Sequence, residues 1–247
     1  MNNLLLENII NKKLNTHLFQ DSIPNGLQVE GKSKIHKILC GVTACQKLLD
    51  IAVIDHYDAI IVHHGYFWDN ENKTIRGIKR NRLKTILLND INLYSWHLPL
   101  DAHKTLGNNA RIAYELNIQI CGNITTFVMW GNFCTPMYGN DLVKQITLKF
   151  NRIPLYLPSK TNQKIKKIAW CSGKGQSFIY QAVDYGIDAF ITGEVSEETF
   201  HFAYENNIHF FSAGHHATEC FGIQELGLWL QKNYNLNIKF INIFNPI

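Results

Sequence analysis

The chain has 247 residues, 46% of them hydrophobic, and a formal net charge of +4, so it is long and apolar enough for one large domain or two lobes with a buried core. No apolar stretch approaches the ~20 residues that a membrane helix needs, and no signal peptide is recognised. The six cysteines form no C-x-x-C pair, so we expect a reduced, cytoplasmic protein without a membrane partner.

Hydrophobic periodicity predicts alternating helices and strands. In chain order we predict helix 4–14, a turn at 24–26, strand 35–42, helix 45–56, strand 59–62, helix 75–88, strand 91–98 and helix 107–116. There follow strand 125–133, helix 141–150, strand 165–171, helix 177–185, strand 189–192, helix 196–206, strand 209–213, helix 218–232 and strand 238–243.

This alternation predicts an α/β protein with mostly parallel sheets. The least regular stretch, 121–140, is the candidate boundary between two lobes, residues 1–125 and 126–247. No internal repeat is recognised.

Three clusters of imidazole and carboxylate residues follow strand-like runs: His63 and His64, His97 and Asp101, and His215 and Glu219. These are ligand types that intermediate first-row divalent metals accept. The ends of strands are also where α/β proteins place their sites. Taken singly, the clusters have structural alternatives: a surface or core histidine pair, and a charge preference at a helix start.

The spacing within each cluster suggests a role for each residue. His215 and Glu219 share one face of a helix start, since residues i and i+4 are neighbours. Pro99 lies between His97 and Asp101, which predicts an extended segment in which the two lie ~13 Å apart unless the chain bends. We therefore interpret Asp101 as a ligand and His97 as a neighbouring acid–base residue.

Counting ligands favours two ions. The candidate metal ligands are His63, His64, Asp101, His215 and Glu219. A single catalytic zinc usually takes three protein ligands, whereas a bridging Glu219 would supply three to each of two ions. Zinc, iron, manganese, cobalt and nickel all suit this ligand set.

Five stretches in order along the chain carry a resemblance to a known family: 25–31 (NGLQVEG), 62–65 (VHHG), 96–101 (WHLPLD) with 107–109 (GNN), 192–194 (TGE) and 213–219 (AGHHATE). On these motifs the chain resembles the GTP cyclohydrolase 1 type 2 homologue family. The resemblance implies two interlocked α/β lobes with a dinuclear metal site in the cleft. It also implies the same five ligands, with His97 beside them, and a ring-shaped homohexamer.

Other residues leave alternatives open. Gly173-Lys174-Gly175 follows a strand but does not match a P-loop, so a tight turn is the simpler interpretation, although Lys174 could reach a phosphate. Glu194 could hold a ligand histidine. The basic stretch from Arg76 to Lys84 is either a solvated helix face or a site for a phosphate or nucleic acid.

The leading functional hypothesis is a metal-dependent hydrolase acting on C–N bonds. In it, water activated by two divalent ions attacks a purine nucleotide ring or a related cyclic amide, and His97 moves a proton. One alternative is a metal-dependent phosphoesterase or nucleotide hydrolase. Another is a non-catalytic ring-forming metal-binding scaffold that interacts with nucleic acid, which predicts salt-sensitive polyanion binding.

Overall fold

The computed structural model describes residues 1–247. Its helices are α1 (Asn3–Leu14), α2 (Gln46–Ile54), α3 (Gly77–Leu88), α4 (Leu98–Ala102), α5 (Asn108–Glu115), α6 (Gly139–Phe150), α7 (Ile179–Val183), α8 (Glu197–Glu205), α9 (His215–Thr218) and α10 (Cys220–Tyr234). Its strands are β1 (Gly26–Val29), β2 (Lys37–Thr43), β3 (Ala59–His64), β4 (Asn92–Ser95), β5 (Ile118–Asn123), β6 (Met129–Met137), β7 (Leu155–Leu157), β8 (Ile165–Trp170), β9 (Ala189–Thr192), β10 (His209–Ser212) and β11 (Asn237–Phe240).

The chain forms two compact units. Unit 1 comprises Met1–Gly107 and Gly222–Phe244, and unit 2 comprises Asn108–Phe221 and Asn245–Ile247. This division differs from a single boundary after residue 125, because α5 packs its apolar face into the core of unit 2 and β11 pairs in the sheet of unit 1. A local composition pattern does not reveal that the chain returns to its first unit.

The sheet of unit 1 has the strand order β1-β4-β3-β2-β11. Its pairings are parallel except for β1 with β4. The central strand β3 is an uninterrupted apolar run that ends in two histidines, and its first five residues are buried. Such a run is typical of a parallel strand covered on both faces.

The sheet of unit 2 has the order β5-β6-β8-β9-β10-β7. Only β8, β9 and β10 run parallel, and the outer pairings are antiparallel. The mixed α/β class is confirmed, whereas parallel pairing dominates only the first sheet.

The parallel strands of the two units repeat one another. Asp58 precedes β3 and its Oδ2 accepts the backbone N–H groups of His36 and Lys37, both at 3.0 Å. Asp188 precedes β9 and in the same way accepts the N–H groups of residues 166 and 167, at 2.9 and 2.8 Å. The structure therefore contains a strand–helix–strand–helix–strand duplication, β2–β4 and β8–β10, although no internal repeat is recognised in the sequence.

A second pair of hydrogen bonds, one in each unit, shows which residues at the ends of the repeated strands correspond. Ser95 Oγ donates to the carbonyl of His63 at 2.8 Å, and Ser212 Oγ donates to the carbonyl of Gly193 at 2.9 Å. Position 63 of unit 1 thus corresponds to position 193 of unit 2. The sequence identities that mark the repeat, such as the Asp before each central strand and the Ala at its first position, are too sparse to be recognised alone.

Most predicted elements are present within a few residues, and β9 has the predicted bounds. Three short strands were not predicted: β1, β5 and β7. The predicted helix 218–232 is two helices, α9 and α10, which meet at Glu219, whose φ of −112° and ψ of 4° interrupt the helical path. None of the helices combines the length and apolar character needed to cross a membrane.

Candidate metal centre

The end of β3 brings two imidazoles together. Consecutive residues of a strand point to opposite faces, yet the ring centroids of His63 and His64 lie 4.6 Å apart because the strand ends here. The His63 side chain is fully buried, and its Nδ1 lies 3.0 Å from the carbonyl oxygen of Trp96. His64 Nδ1 lies 3.3 Å from Thr43 Oγ1. Each ring is thus oriented through Nδ1, and Nε2 is the nitrogen on its opposite side.

Immediately after β4, residues 98–102 form the short helix α4, with His97 as its N-cap residue. The predicted extended segment, with His97 and Asp101 ~13 Å apart, is therefore wrong. Pro99 occupies the first helical turn, where a missing N–H breaks no intrahelical bond. Instead, the backbone N–H of Asp101 donates to the carbonyl of His97 at 3.1 Å, so both residues belong to one helical turn.

Within unit 1, α4 places the candidate residues His97 and Asp101 close to His63 and His64. Asp101 Oδ2 lies 3.6 Å from His63 Nε2, and the carboxylate is 9% exposed. The ring centroid of His97 lies 5.0 Å from that of His63 and 5.7 Å from that of His64. One ligand-type atom from each of these three histidines lies within 4.8 Å of the others. The structure thus brings the residues of two separate sequence motifs together in unit 1.

One aromatic residue and one acidic residue contact His97 in unit 1. The Trp68 ring stands edge-on to the His97 ring at 5.1 Å, and it lies 6.1 Å from the His64 ring. Asp21 Oδ1 lies 2.9 Å from His97 Nδ1. Burial opposes ionisation of Asp21, but hydrogen bonds and the charge of His97 outweigh it and lower the pKa of this carboxyl. His97 is therefore held between a carboxylate and an aromatic wall.

In unit 2, the turn from β10 into α9 presents the third motif. Gly214 precedes the helix with φ 98°, a left-handed value that favours glycine. His215 Nε2 lies 3.1 Å from Glu219 Oε2, as the i, i+4 spacing predicts, and the Glu219 side chain is 3% exposed. On the other side of the ring, Nδ1 lies 2.7 Å from Glu194 Oε1. The open question about Glu194 is thus answered: it contacts the candidate ligand His215.

The two carboxylates also affect the charge of His215. Burial disfavours the imidazolium, but the hydrogen bonds and charges of Glu219 and Glu194 outweigh it and raise the pKa of His215 to about 9. The two carboxylates thus favour the protonated ring. An ion held through Nε2 would have to displace a proton there, as is usual for imidazole ligands.

The glycine loop after β8 surrounds the same carboxylate. Gly173 has φ 62°, and a Cβ there would lie 2.2 Å from Glu219 Oε1 and 3.2 Å from His215 Nε2. Its N–H donates to Thr218 Oγ1 at 3.0 Å, while Lys174 is exposed. The loop is therefore a tight turn that fits around the candidate ligands His215 and Glu219.

Comparisons with known proteins agree with this architecture. The family model Duf34/NIF3 (NGG1p interacting factor 3) matches residues 1–246. The chain belongs to this family. A protein of Buchnera aphidicola subsp. Baizongia pistaciae named GTP cyclohydrolase 1 type 2 homolog is 57% identical to it over 247 residues, with 100% of both chains covered. A protein of Escherichia coli K12 with the same name is 54% identical over 246 residues, again with 100% of both covered.

Solved structures extend the comparison to the fold. The structure of protein ybgI, described as of unknown function, is 54% identical, covers 100% of both chains and superposes with a TM-score of 0.98. TTHA1606 from Thermus thermophilus is 29% identical, with 100% of both chains covered and a TM-score of 0.92. The resemblance inferred from the sequence motifs is thus confirmed for the family and the fold.

Sequence reasoning missed two residues of the unit 1 cluster in this NIF3-family chain, Asp21 and Asn25, which hold His97. Trp68 follows the histidine pair closely in the sequence, which made it a candidate for a pocket wall as well as for core packing, and its ring packs against His97. Asn25 lies in the predicted turn before Gly26, which gave only weak evidence for a role in the site. Nothing in the sequence indicated such a role for Asp21, because its contact with His97 joins segments far apart in the sequence.

Proposed function

We propose that this chain is a metal-dependent hydrolase with one dinuclear centre. Its ligands are His63, His64 and Asp101 from unit 1 and His215 and Glu219 from unit 2. The convergence of three imidazoles, His63 and His64 at the end of β3 and His97 after β4, is the observation that carries the proposal. A cluster of this kind is costly to bury without a function, because polar groups lose hydration when they are buried.

The residues fit divalent ions by their chemistry. Imidazole with carboxylate suits zinc, iron, manganese, cobalt or nickel. Each oriented ring keeps its Nδ1 on a protein oxygen, the arrangement that metal-binding histidines usually show: Trp96 for His63, Thr43 for His64 and Glu194 for His215. When bound, such ions lower the pKa of water and provide a nucleophile near neutral pH.

The remaining steps fall to side chains of unit 1. His97 accepts and returns a proton at the edge of the cluster, since it is 18% exposed and held by Asp21. Trp68 supplies a flat apolar wall beside His97 and His64, which suits a planar heterocyclic substrate. A purine nucleotide ring or a related cyclic amide is the proposed substrate class, in line with the name of the relatives.

Metal content and turnover test this proposal together. We expect about two ions per chain in protein purified without added metal, measured by elemental analysis. The metal-loaded protein should open purine nucleotides or cyclic amides, with formate as one product when a ring carbon is lost. His63→Ala should abolish both binding and turnover, whereas His36→Ala, a change at an exposed histidine, should alter neither.

A second test concerns Glu219, which would contact both ions if they share one centre. Glu219→Ala should then remove both ions, whereas two separate sites would lose no more than one ion. Retention of one ion would contradict a Glu219 that is shared by the two ions. Absence of turnover across the substrate panel, with His63→Ala indistinguishable from the parent, would contradict the hydrolase.

A phosphoesterase is the second candidate, and a basic cavity favours it. This cavity of about 250 Å³ is lined by Tyr66, Glu71, Ile78, Lys79 and Arg82. Lys79 Nζ lies 3.1 Å from Glu71 Oε1, and Glu71 Oε2 accepts the N–H groups of residues 67 and 68 beside the cluster. Release of inorganic phosphate rather than formate would identify this activity.

Self-association and compartment complete the proposal. A homohexameric ring is the assembly we propose, because the family resemblance implies it. Light scattering tests it, and a stable monomer would contradict it.

A non-catalytic scaffold would instead bind polyanions with steep salt dependence and no turnover. Six free thiols support a reducing, cytoplasmic setting.

A further inference from the structure

Asp21 contacts His97 with one oxygen and the backbone with the other. Its Oδ1 lies 2.9 Å from His97 Nδ1, and its side chain is 2% exposed. Its Oδ2 accepts the N–H of Leu98 at 2.9 Å and the Nδ2–H of Asn25 at 3.0 Å. Because Oδ2 is engaged by two donors, the carboxylate is fixed in the plane that presents Oδ1 to the imidazole.

Asn25 fixes the same residue from the backbone side. Its Oδ1 accepts the N–H of His97 at 2.8 Å, while its Nδ2 donates to Asp21. The two side chains therefore hold both the backbone and the ring of the residue that begins α4. An ionised carboxylate only accepts hydrogen bonds, so the ring must bring the proton on Nδ1.

We propose that Asp21 is a positioning residue that keeps His97 in the Nδ1–H tautomer, so that the lone pair of Nε2 is available to the cluster of His63 and His64. The proton-transfer role of His97 rests on the proposed hydrolase function, but the tautomer does not. The lowered pKa of Asp21 agrees with a carboxylate at this position. A base needs that lone pair, because the other tautomer carries a hydrogen at Nε2.

Replacing Asp21 with asparagine gives a specific structural expectation. The two donors at Oδ2, from Leu98 and Asn25, require an oxygen there. In Asp21→Asn the new amide must then turn its NH₂ group to His97, where it donates to Nδ1. His97 is thereby driven to the Nε2–H tautomer, with little change in size or packing.

Long-range ¹H–¹⁵N NMR of histidine-labelled full-length protein measures this directly. Spectra of the metal-free chain at about pH 9, above the ordinary imidazole pKa of about 6.5, distinguish the two neutral tautomers. His97→Gln assigns the resonances. We expect Nδ1–H in the parent protein and Nε2–H in Asp21→Asn. Asp58→Asn is the matched control, because Asp58, like Asp21, has one carboxylate oxygen that accepts two N–H donors, here the backbone N–H groups of His36 and Lys37, but it contacts no imidazole; it should leave His97 unchanged.

Kinetics supply a second readout if the chain proves to be a hydrolase. Asp21→Asn should lower kcat by about 10²- to 10⁴-fold with little change in KM, since the lost group acts in proton transfer. An Nε2–H signal for His97 in the parent overturns the inference even if Asp21→Asn fails to fold. Persistence of the Nδ1–H signal in a folded Asp21→Asn variant also overturns it. A tautomer change without any turnover contradicts the hydrolase but supports the positioning role.

Discussion

The two units use the same supersecondary frame to present different chemistry. In unit 1 the central strand β3 ends in His63 and His64, whereas the corresponding positions after β9 in unit 2 are Gly193 and Glu194. Both third strands then lead into a short helix: α4 contains Asp101, and α9 is followed directly by Glu219. A duplicated frame thus fixes where side chains emerge, and the individual residues decide what they do.

The difference between the halves lies in how an imidazole meets a carboxylate. In unit 1, His97 receives its carboxylate from Asp21, a residue outside the repeat. In unit 2, His215 receives one from Glu194, at the end of the repeated central strand, and a second from Glu219. Unit 1 therefore offers several imidazoles, whereas unit 2 offers one imidazole with two acidic neighbours.

The loop after the first repeated strand gives the largest expected effect. Gly173→Ala places a Cβ against Glu219 and His215 and also strains a left-handed backbone. Because Glu219 is buried, its carboxylate has to move to make room. We expect zinc affinity to fall by roughly 100-fold or more, measured by competition with a chelator.

Gly186→Ala is the control that separates the effect of backbone strain from the effect of a steric clash with Glu219. Gly186 has φ 61°, close to that of Gly173, but no heavy atom lies within 4 Å of the position that a Cβ would take there. It should cost about 1–2 kcal/mol of stability and leave zinc affinity intact. Equal losses of affinity in the two variants would show that backbone strain, and not the fit around Glu219, is responsible.

The next prediction concerns Glu194, whose carboxylate contacts Nδ1 of His215. Glu194→Gln keeps the size of the side chain but removes the charge that orients Nδ1, so zinc affinity should fall about 10- to 100-fold. Isothermal titration of metal-free protein measures it. Glu197→Gln is the control, since Glu197 lies 3.6 Å from His201 in an exposed pair on α8. A Glu194→Gln affinity equal to that of the control would contradict an orienting role.

These contrasts also show what the sequence can reveal. His63 and His64 could be predicted because they end a continuous apolar strand, and His215 with Glu219 because i, i+4 spacing is a local property of a helix. The conformation of α4 could not, since Pro99 is compatible both with an extended segment and with a first helical turn. The pairing of Asp21 with His97 depends on the tertiary fold, which no local pattern encodes.

The aspartates that begin each central strand provide the smallest expected effect and test the duplication itself. Burial raises the pKa of Asp58, but the backbone N–H groups of His36 and Lys37 and the ammonium of Lys32 outweigh it and lower the pKa below 3.8. Asp58 therefore stabilises the fold above about pH 4, and this contribution is lost as the pH falls through the lowered pKa.

Asp58→Asn should cost about 1 kcal/mol at neutral pH, and the difference from the parent should shrink under acid conditions, as measured by urea unfolding. Asp188→Asn should cost somewhat less, because Asp58 has an additional bond from Lys32 at 3.2 Å. A penalty that does not change with pH would show that the charge of Asp58 contributes nothing. A fully neutral Asp188→Asn beside a costly Asp58→Asn would show that the repeated bonds are equal in geometry but not in free energy, and that Lys32 rather than the shared frame stabilises unit 1 at this position.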